Sequence, residues 1–202
     1  MNLATKLTMS RIYMALLLIL ILVFPFDAAG IALPKLFVNE SVVVDTRYLI
    51  AGIIFIIAAF TDYLDGYVAR KYNMVTDFGK MLDAIADKVL VNSVLILLTA
   101  VGFVHPLITV IIIIRDSITN AIKMAAGNKG HVVAASKLAK IKTMTLMIGV
   151  TLTLFYNLPF ELWNLKVSDF LLMIAALLSL ISGVQYYSAN KLLLFNEKGK
   201  ID

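Results

Sequence analysis

Five long uncharged runs, Ile12–Phe26, Tyr48–Thr61, Val89–Ile114, Thr143–Phe160 and Phe170–Asn190, occupy most of the chain and limit what it can fold into. A helix that crosses a bilayer needs about 20 mostly apolar residues. The 26-residue run Val89–Ile114 contains Gly102 and His105-Pro106, and a proline inside such a run favours a break into two helices. The second run is short because Asp62 interrupts it, and helical continuation through Ala69 completes the span. The pattern predicts an all-α, polytopic membrane protein with six transmembrane helices, roughly 7–26, 46–72, 77–102, 106–126, 140–158 and 167–194. A short interfacial helix is expected over Met1–Thr8, and residues 1–202 are read as one domain.

Composition excludes several other classes. Apolar residues make up 61% of the 202 residues, charged residues 15%, and the mean hydropathy is +0.92. That leaves too little polar surface for a water-soluble monomer, so lipid must solvate much of the exterior. The chain has no cysteine, which removes disulfides and thiolate metal sites, and only two histidines, so a reactive metal site has to be built from oxygen. His131 falls in a polar loop and His105 precedes a proline, and neither is expected to act as ligand or base. Lys6 and Arg11 ahead of an apolar stretch resemble an export signal, but no small-x-small cleavage site precedes the next element, so the stretch is kept as the first helix.

The net charge of +5 is read as loops facing anionic lipid or substrate phosphates, with no nucleic-acid partner expected. If both termini share one side, that side holds fifteen basic residues and the other only Lys35, Arg47 and Lys166. By the positive-inside rule the termini, the 70–80 turn and the 115–142 region are cytoplasmic. Tyr48, Tyr156, Tyr186, Tyr187 and Trp163 fall near predicted helix ends, as interfacial aromatics do. Ser179 and Gly183 form a small-xxx-small pair suited to helix contact.

Asp62, Asp65, Asp83 and Asp87 stand where a membrane protein would keep its helices apolar, and intramembrane carboxylates are costly and usually functional. The i,i+3 and i,i+4 spacings place each pair on one helix face. If the two helices form a hairpin turning near Asn73–Val75, Asp62 and Asp87 share one depth and Asp65 and Asp83 another, roughly 10–20 Å from the turn at 1.5 Å per residue. Four such groups cannot all stay ionised in a low dielectric without compensation, and all-oxygen donors select a hard divalent cation, or two: Mg²⁺, Mn²⁺ or Ca²⁺. Gly66 and Gly79, one turn from Asp62 and Asp83, clear bulk beside the carboxylates, and Arg70 adds a cation suited to phosphate. Thr76 and Asp77 are read as N-terminal capping and dipole residues. Arg115, Lys137 and Lys142 flank the cytoplasmic ends of helices four and five as candidate anion ligands, whereas Lys123, Lys129 and Lys140 read as loop cations. A divalent-cation transporter lined by these aspartates is a competing reading, as is a membrane prenyltransferase using Asp62-x-x-Asp65.

The pattern Asp62-x-x-Asp65-Gly66-x-x-Ala69-Arg70, followed by Gly79-x-x-x-Asp83-x-x-x-Asp87, resembles the signature of the CDP-alcohol phosphotransferase family at all eight positions. Weaker similarity extends to Asn2, Leu7-Thr8 and Arg11, and to Lys137 and Lys140–Thr143. The family pattern often has Pro-Leu where Ala84-Ile85 stand, and Gly and Gln at Ala139 and Leu146. The resemblance implies transfer of a phosphatidyl group from CDP-diacylglycerol to an alcohol with release of CMP, in a bacterial cell membrane and on its cytoplasmic side. It implies two divalent ions, Mg²⁺ or Mn²⁺, held by Asp62, Asp65, Asp83 and Asp87, with Asp87 also the base on the acceptor hydroxyl. It implies CDP-diacylglycerol binding at Gly66, Ala69, Arg70 and Gly79, and a homodimer. A basic pocket at Arg115, Lys137 and Lys142 suits an anionic acceptor, sn-glycerol 3-phosphate first, with inositol phosphate or serine as alternatives.

Overall fold

The computed structural model describes residues 3–38, 42–71, 77–128 and 136–195. Six helices carry the fold: α1 (Leu3–Val23), α2 (Thr46–Lys71), α3 (Asp77–Ala100), α4 (Pro106–Asn128), α5 (Lys137–Leu154) and α6 (Val167–Phe195). Their number and order match the six helices expected from sequence. Two differences concern the first fifty residues. No separate interfacial helix exists among the described residues, because α1 runs unbroken from Leu3 and no glycine or proline interrupts it. The connection between α1 and α2 is not irregular: β1 (Lys35–Val38) pairs antiparallel with β2 (Val42–Asp45), Lys35 opposite Asp45 and Val38 opposite Val42. Among the described residues the fold is therefore mostly helical with one two-stranded sheet, formed where β-branched and aromatic residues cluster.

By length and composition, one described helix stretch, Val167–Lys191, suffices to cross a membrane, and Leu7–Val23 is a shorter apolar helix. The other helices carry charge at the ends that build the site.

The packing order departs from a simple hairpin of α2 and α3. Both helices pack along α1, and direct contact between them is marginal among the described residues. Ala15 and Leu18 of α1 are fully buried with Phe55 of α2 and Leu95 of α3 in one core cluster. Small Ala15, Ala51 and Ala58 let the backbones approach, as is usual where lipid rather than water is the surrounding solvent. On the other side α6 packs against both α4 and α5. At Gly52 a Cβ would lie 2.6 Å from the ring of Phe155, just past the end of α5, so a larger residue there would have to displace that ring.

One end of the bundle is closed by the sheet, the α3–α4 turn and the α5–α6 connection. Tyr48, Phe103 and Tyr156 stack with ring centroids 5.1–5.7 Å apart, and the Tyr156 hydroxyl accepts from the Asp45 amide at 3.1 Å. Tyr48 and Tyr156 thus belong to an aromatic cluster, Tyr186 is buried, and Trp163 is exposed. Helix α5 ends four residues sooner than expected. Tyr156 and Asn157 adopt the left-handed conformation, and a 3-10 turn covers Phe160–Trp163. Asn157 stabilises this reversal: its amide donates to Glu161 Oε2 (3.0 Å) and to the Leu165 carbonyl (2.6 Å), and its carbonyl accepts from the Ser168 amide (3.0 Å). The opposite end holds Asp62, Asp83, Asp87 and most of the candidate site.

Candidate active site

Asp62 lies on α2, Asp83 and Asp87 on α3, and α1 stands between those helices. Its Arg11 joins them. The Arg11 side chain is fully buried, its Nη1 donates to Asp62 Oδ1, and its Nη2 donates to Asp83 Oδ1 at 2.9 Å. The planar fork of a guanidinium suits this task, since two parallel donors can serve carboxylates on two different helices. Asp62 and Asp83 therefore share one cation, whereas equal depth in a simple hairpin would pair Asp62 with Asp87. Both carboxylates stay accessible, with 39% and 51% of their side chains exposed. Asp87 is half-buried one turn further along α3 and interacts electrostatically with Asp62, Asp83, Arg11 and Asp116.

The side chains of Asp65, Gly66, Ala69 and Arg70 lie outside the described residues, as do Thr76 and the side chain of Asp77. Among the described residues no group of three acidic or imidazole side chains is close enough to hold an ion. The chemistry of the donor set nevertheless fits a hard divalent cation. It is all oxygen, two of its carboxylates are accessible, and Asp65 on the next turn of α2 belongs to the same candidate set. Arg11 meets part of the charge that such an ion would neutralise.

Next to the acidic centre is a cavity of about 560 Å³ lined by Asp87, Lys88, Arg115, Asp116, Thr119, Asn120, Lys123, Ala139, Lys140, Lys142, Thr143 and Met144. Its floor is an ion-pair network across α4 and α5. The Lys142 ammonium is buried, with 4% of its side chain exposed, and donates to both oxygens of Asp116 at 2.9 and 2.8 Å. Arg115 Nη1 donates to the same carboxylate at 2.9 Å, and its Nη2 donates to Ser182 Oγ on α6 at 2.8 Å. One carboxylate thus orders two buried cations and leaves the pair with a net positive charge. Lys88, Lys123 and Lys140 surround it, so the cavity favours an anion.

Arg115 and Lys142 line this cavity as expected from sequence. Lys137 does not: it is exposed at the first residue of α5, where Ser136 caps the helix by accepting from the Ala139 amide. Lys123 and Lys140, read as loop cations, are lining residues, as is Ala139, one of the departures from the family pattern. Sequence reasoning gave no role to Arg11, Asp116 or Ser182. Arg11 looked like one more basic residue of a cytoplasmic terminus, although its place two turns into an apolar helix is a detectable signal. Asp116 was masked by its neighbour Arg115.

Comparison with known proteins identifies the family. The profile of the CDP-alcohol phosphatidyltransferase family matches residues 1–182. A CDP-diacylglycerol--glycerol-3-phosphate 3-phosphatidyltransferase of Bacillus subtilis is 39% identical over 189 residues, covering 94% of this chain and 95% of the relative. Proteins of the same name from Mycoplasma genitalium and Salmonella choleraesuis are 35% and 32% identical, covering 83% and 93% of this chain and 68% and 94% of the relatives. With nine-tenths of its length matched by the profile and full-length relatives of this similarity, the chain belongs to the CDP-alcohol phosphatidyltransferase family.

Proposed function

We propose that this enzyme transfers the phosphatidyl group of CDP-diacylglycerol to sn-glycerol 3-phosphate, giving phosphatidylglycerophosphate and CMP. The observation that carries the proposal is the position of Asp87, which lines the basic cavity while interacting with Asp62 and Asp83 of the acidic centre. An anionic acceptor held by Arg115 and Lys142 would present its hydroxyl next to a carboxylate base. The acceptor oxygen attacks the phosphorus that bears diacylglycerol, the bond from that phosphorus to the CMP phosphate oxygen breaks, and Asp87 takes the hydroxyl proton. Asp62, Asp65, Asp83 and Asp87 would hold two Mg²⁺ or Mn²⁺ ions, whose chemistry is neutralisation of the pyrophosphate and its leaving group. Gly66, Ala69, Arg70 and Gly79 would receive the CDP portion. Arg11 fixes the separation of α2 and α3, so that Asp62 and Asp83 are ordered before substrate binds.

All six helices cross the bacterial cell membrane in this reading, with both termini and the reacting groups on the cytoplasmic side, and the acyl chains of the donor stay in lipid. The resemblance implies a homodimer. Purified protein supplied with CDP-diacylglycerol and glycerol 3-phosphate should release CMP. Release should fall to background when divalent ions are chelated and return with Mg²⁺ or Mn²⁺. Inositol phosphate or serine supporting faster release would reassign the acceptor, and no release with any acceptor would reject the reaction. Asp87→Asn should lose about 10²–10⁴-fold in turnover, the range expected for a general base, without loss of helical content.

A further inference from the structure

The α6 helix contributes no charged side chain to the cavity, yet it touches Arg115, which does. Arg115 Nη2 donates to Ser182 Oγ at 2.8 Å, and the fully buried Ser182 hydroxyl donates its single proton to the Ser179 carbonyl at 3.1 Å. Its proton committed, that hydroxyl can only accept from the guanidinium, which is the polarity Arg115 requires. Gly183 completes the seat: a Cβ there would lie 3.0 Å from Arg115 Cγ, so α6 presses against the aliphatic stem of the arginine. The hydroxyls of Ser179 and Tyr186 are also buried on α6 but make no hydrogen bond. Among the described residues Ser182 is therefore the α6 group that holds the guanidinium.

This contact decides how Arg115 divides its donors. Nη1 goes to Asp116, and Nη2 is held away from it by Ser182. We infer that Ser182, seated by Gly183, is a positioning residue that keeps the Arg115 fork from closing on Asp116 and so leaves it available to the acceptor phosphate. Without the serine hydroxyl, both arms of the fork are free to pair with Asp116. A bidentate pair of that kind competes directly with an incoming phosphate. The inference rests on the acceptor reading above and adds a specificity element on a helix outside the signature motif.

The test is steady-state CMP release with each substrate varied in turn. Ser182→Ala should raise the KM for glycerol 3-phosphate about tenfold, the effect of losing one hydrogen bond to a charged group. The KM for CDP-diacylglycerol and kcat at saturating acceptor should stay within about twofold by the same reasoning. Ser179→Ala, which removes a buried hydroxyl of the same helix with no partner, should leave all three constants unchanged. In an Arg115→Lys background, Ser182→Ala should have no further effect, since the two residues act as one unit. An unchanged acceptor KM, an equal rise in both KM values, or additive effects in the double variant would overturn the inference. Failure of the wild-type enzyme to use glycerol 3-phosphate at all would instead overturn the acceptor reading, so the two failures are distinguishable.

Discussion

Removing the Arg11 guanidinium would deprive Asp62 and Asp83 of the cation they share and α1 of its polar link to α2 and α3. Pairs exposed to water contribute about 1 kcal/mol or less, and breaking a fully buried pair costs about 3–5 kcal/mol. Arg11 is buried and its partners half-open, so Arg11→Ala should destabilise the protein by about 2–3 kcal/mol. Thermal denaturation in detergent measures this. Arg11→Lys should recover only part of it, because an ammonium is a point donor and cannot span two carboxylates with a planar fork. A wild-type melting temperature in Arg11→Ala would show that the ion pairs add nothing to the fold. The carboxylates themselves were readable from sequence, since acidic residues in apolar helices are conspicuous. Their cation was not. It lies 51 and 72 positions from its partners, and the basic count of a cytoplasmic terminus accounts for it without any contact.

At the scale of the element, the α5–α6 connection shows how side-chain hydrogen bonds replace helical ones. Asn157→Ala removes three hydrogen bonds around a left-handed turn and leaves the Ser168 amide buried without its acceptor. At about 1 kcal/mol for each bond, the loss should be about 3 kcal/mol. Denaturant titration would detect it, and the acceptor KM should not change, because the turn lies at the end of the bundle away from the basic cavity. Helix positions were legible within a few residues because apolar runs, Pro106 and the polar connections mark them. The end of α5 was less so, since Phe155, Tyr156 and Leu158 continue the apolar pattern and only the capping at Phe155 and the backbone of Tyr156 and Asn157 stop the helix. The β1–β2 pair is hidden for a related reason: Leu36–Val38 and Val42–Val44 carry a clear strand composition, but runs this short between long apolar helices read as loop.

The whole molecule separates two chemistries by position. One end gathers aromatic rings and a small sheet, and the other gathers four described carboxylates and a ring of cations. A chain without cysteine allows a direct test of which end faces which compartment. Phe37→Cys, exposed on β1, should react with a membrane-impermeant maleimide on intact cells. Lys140→Cys, exposed on α5, should react only after permeabilisation. Labelling of both in intact cells, or the reverse pattern, would contradict the orientation read from the basic residues. The family and the reaction class were legible in an eight-residue pattern. The interposition of α1 was not, because sequence proximity argues for α2 against α3, and only the burial of Ala15 and Leu18 of α1 against both helices reveals otherwise.

That interposition makes α1 a wedge without which α2 and α3 have little to pack on. A chain lacking α1 should therefore lose its fold, and supplying that helix as a separate peptide should restore it.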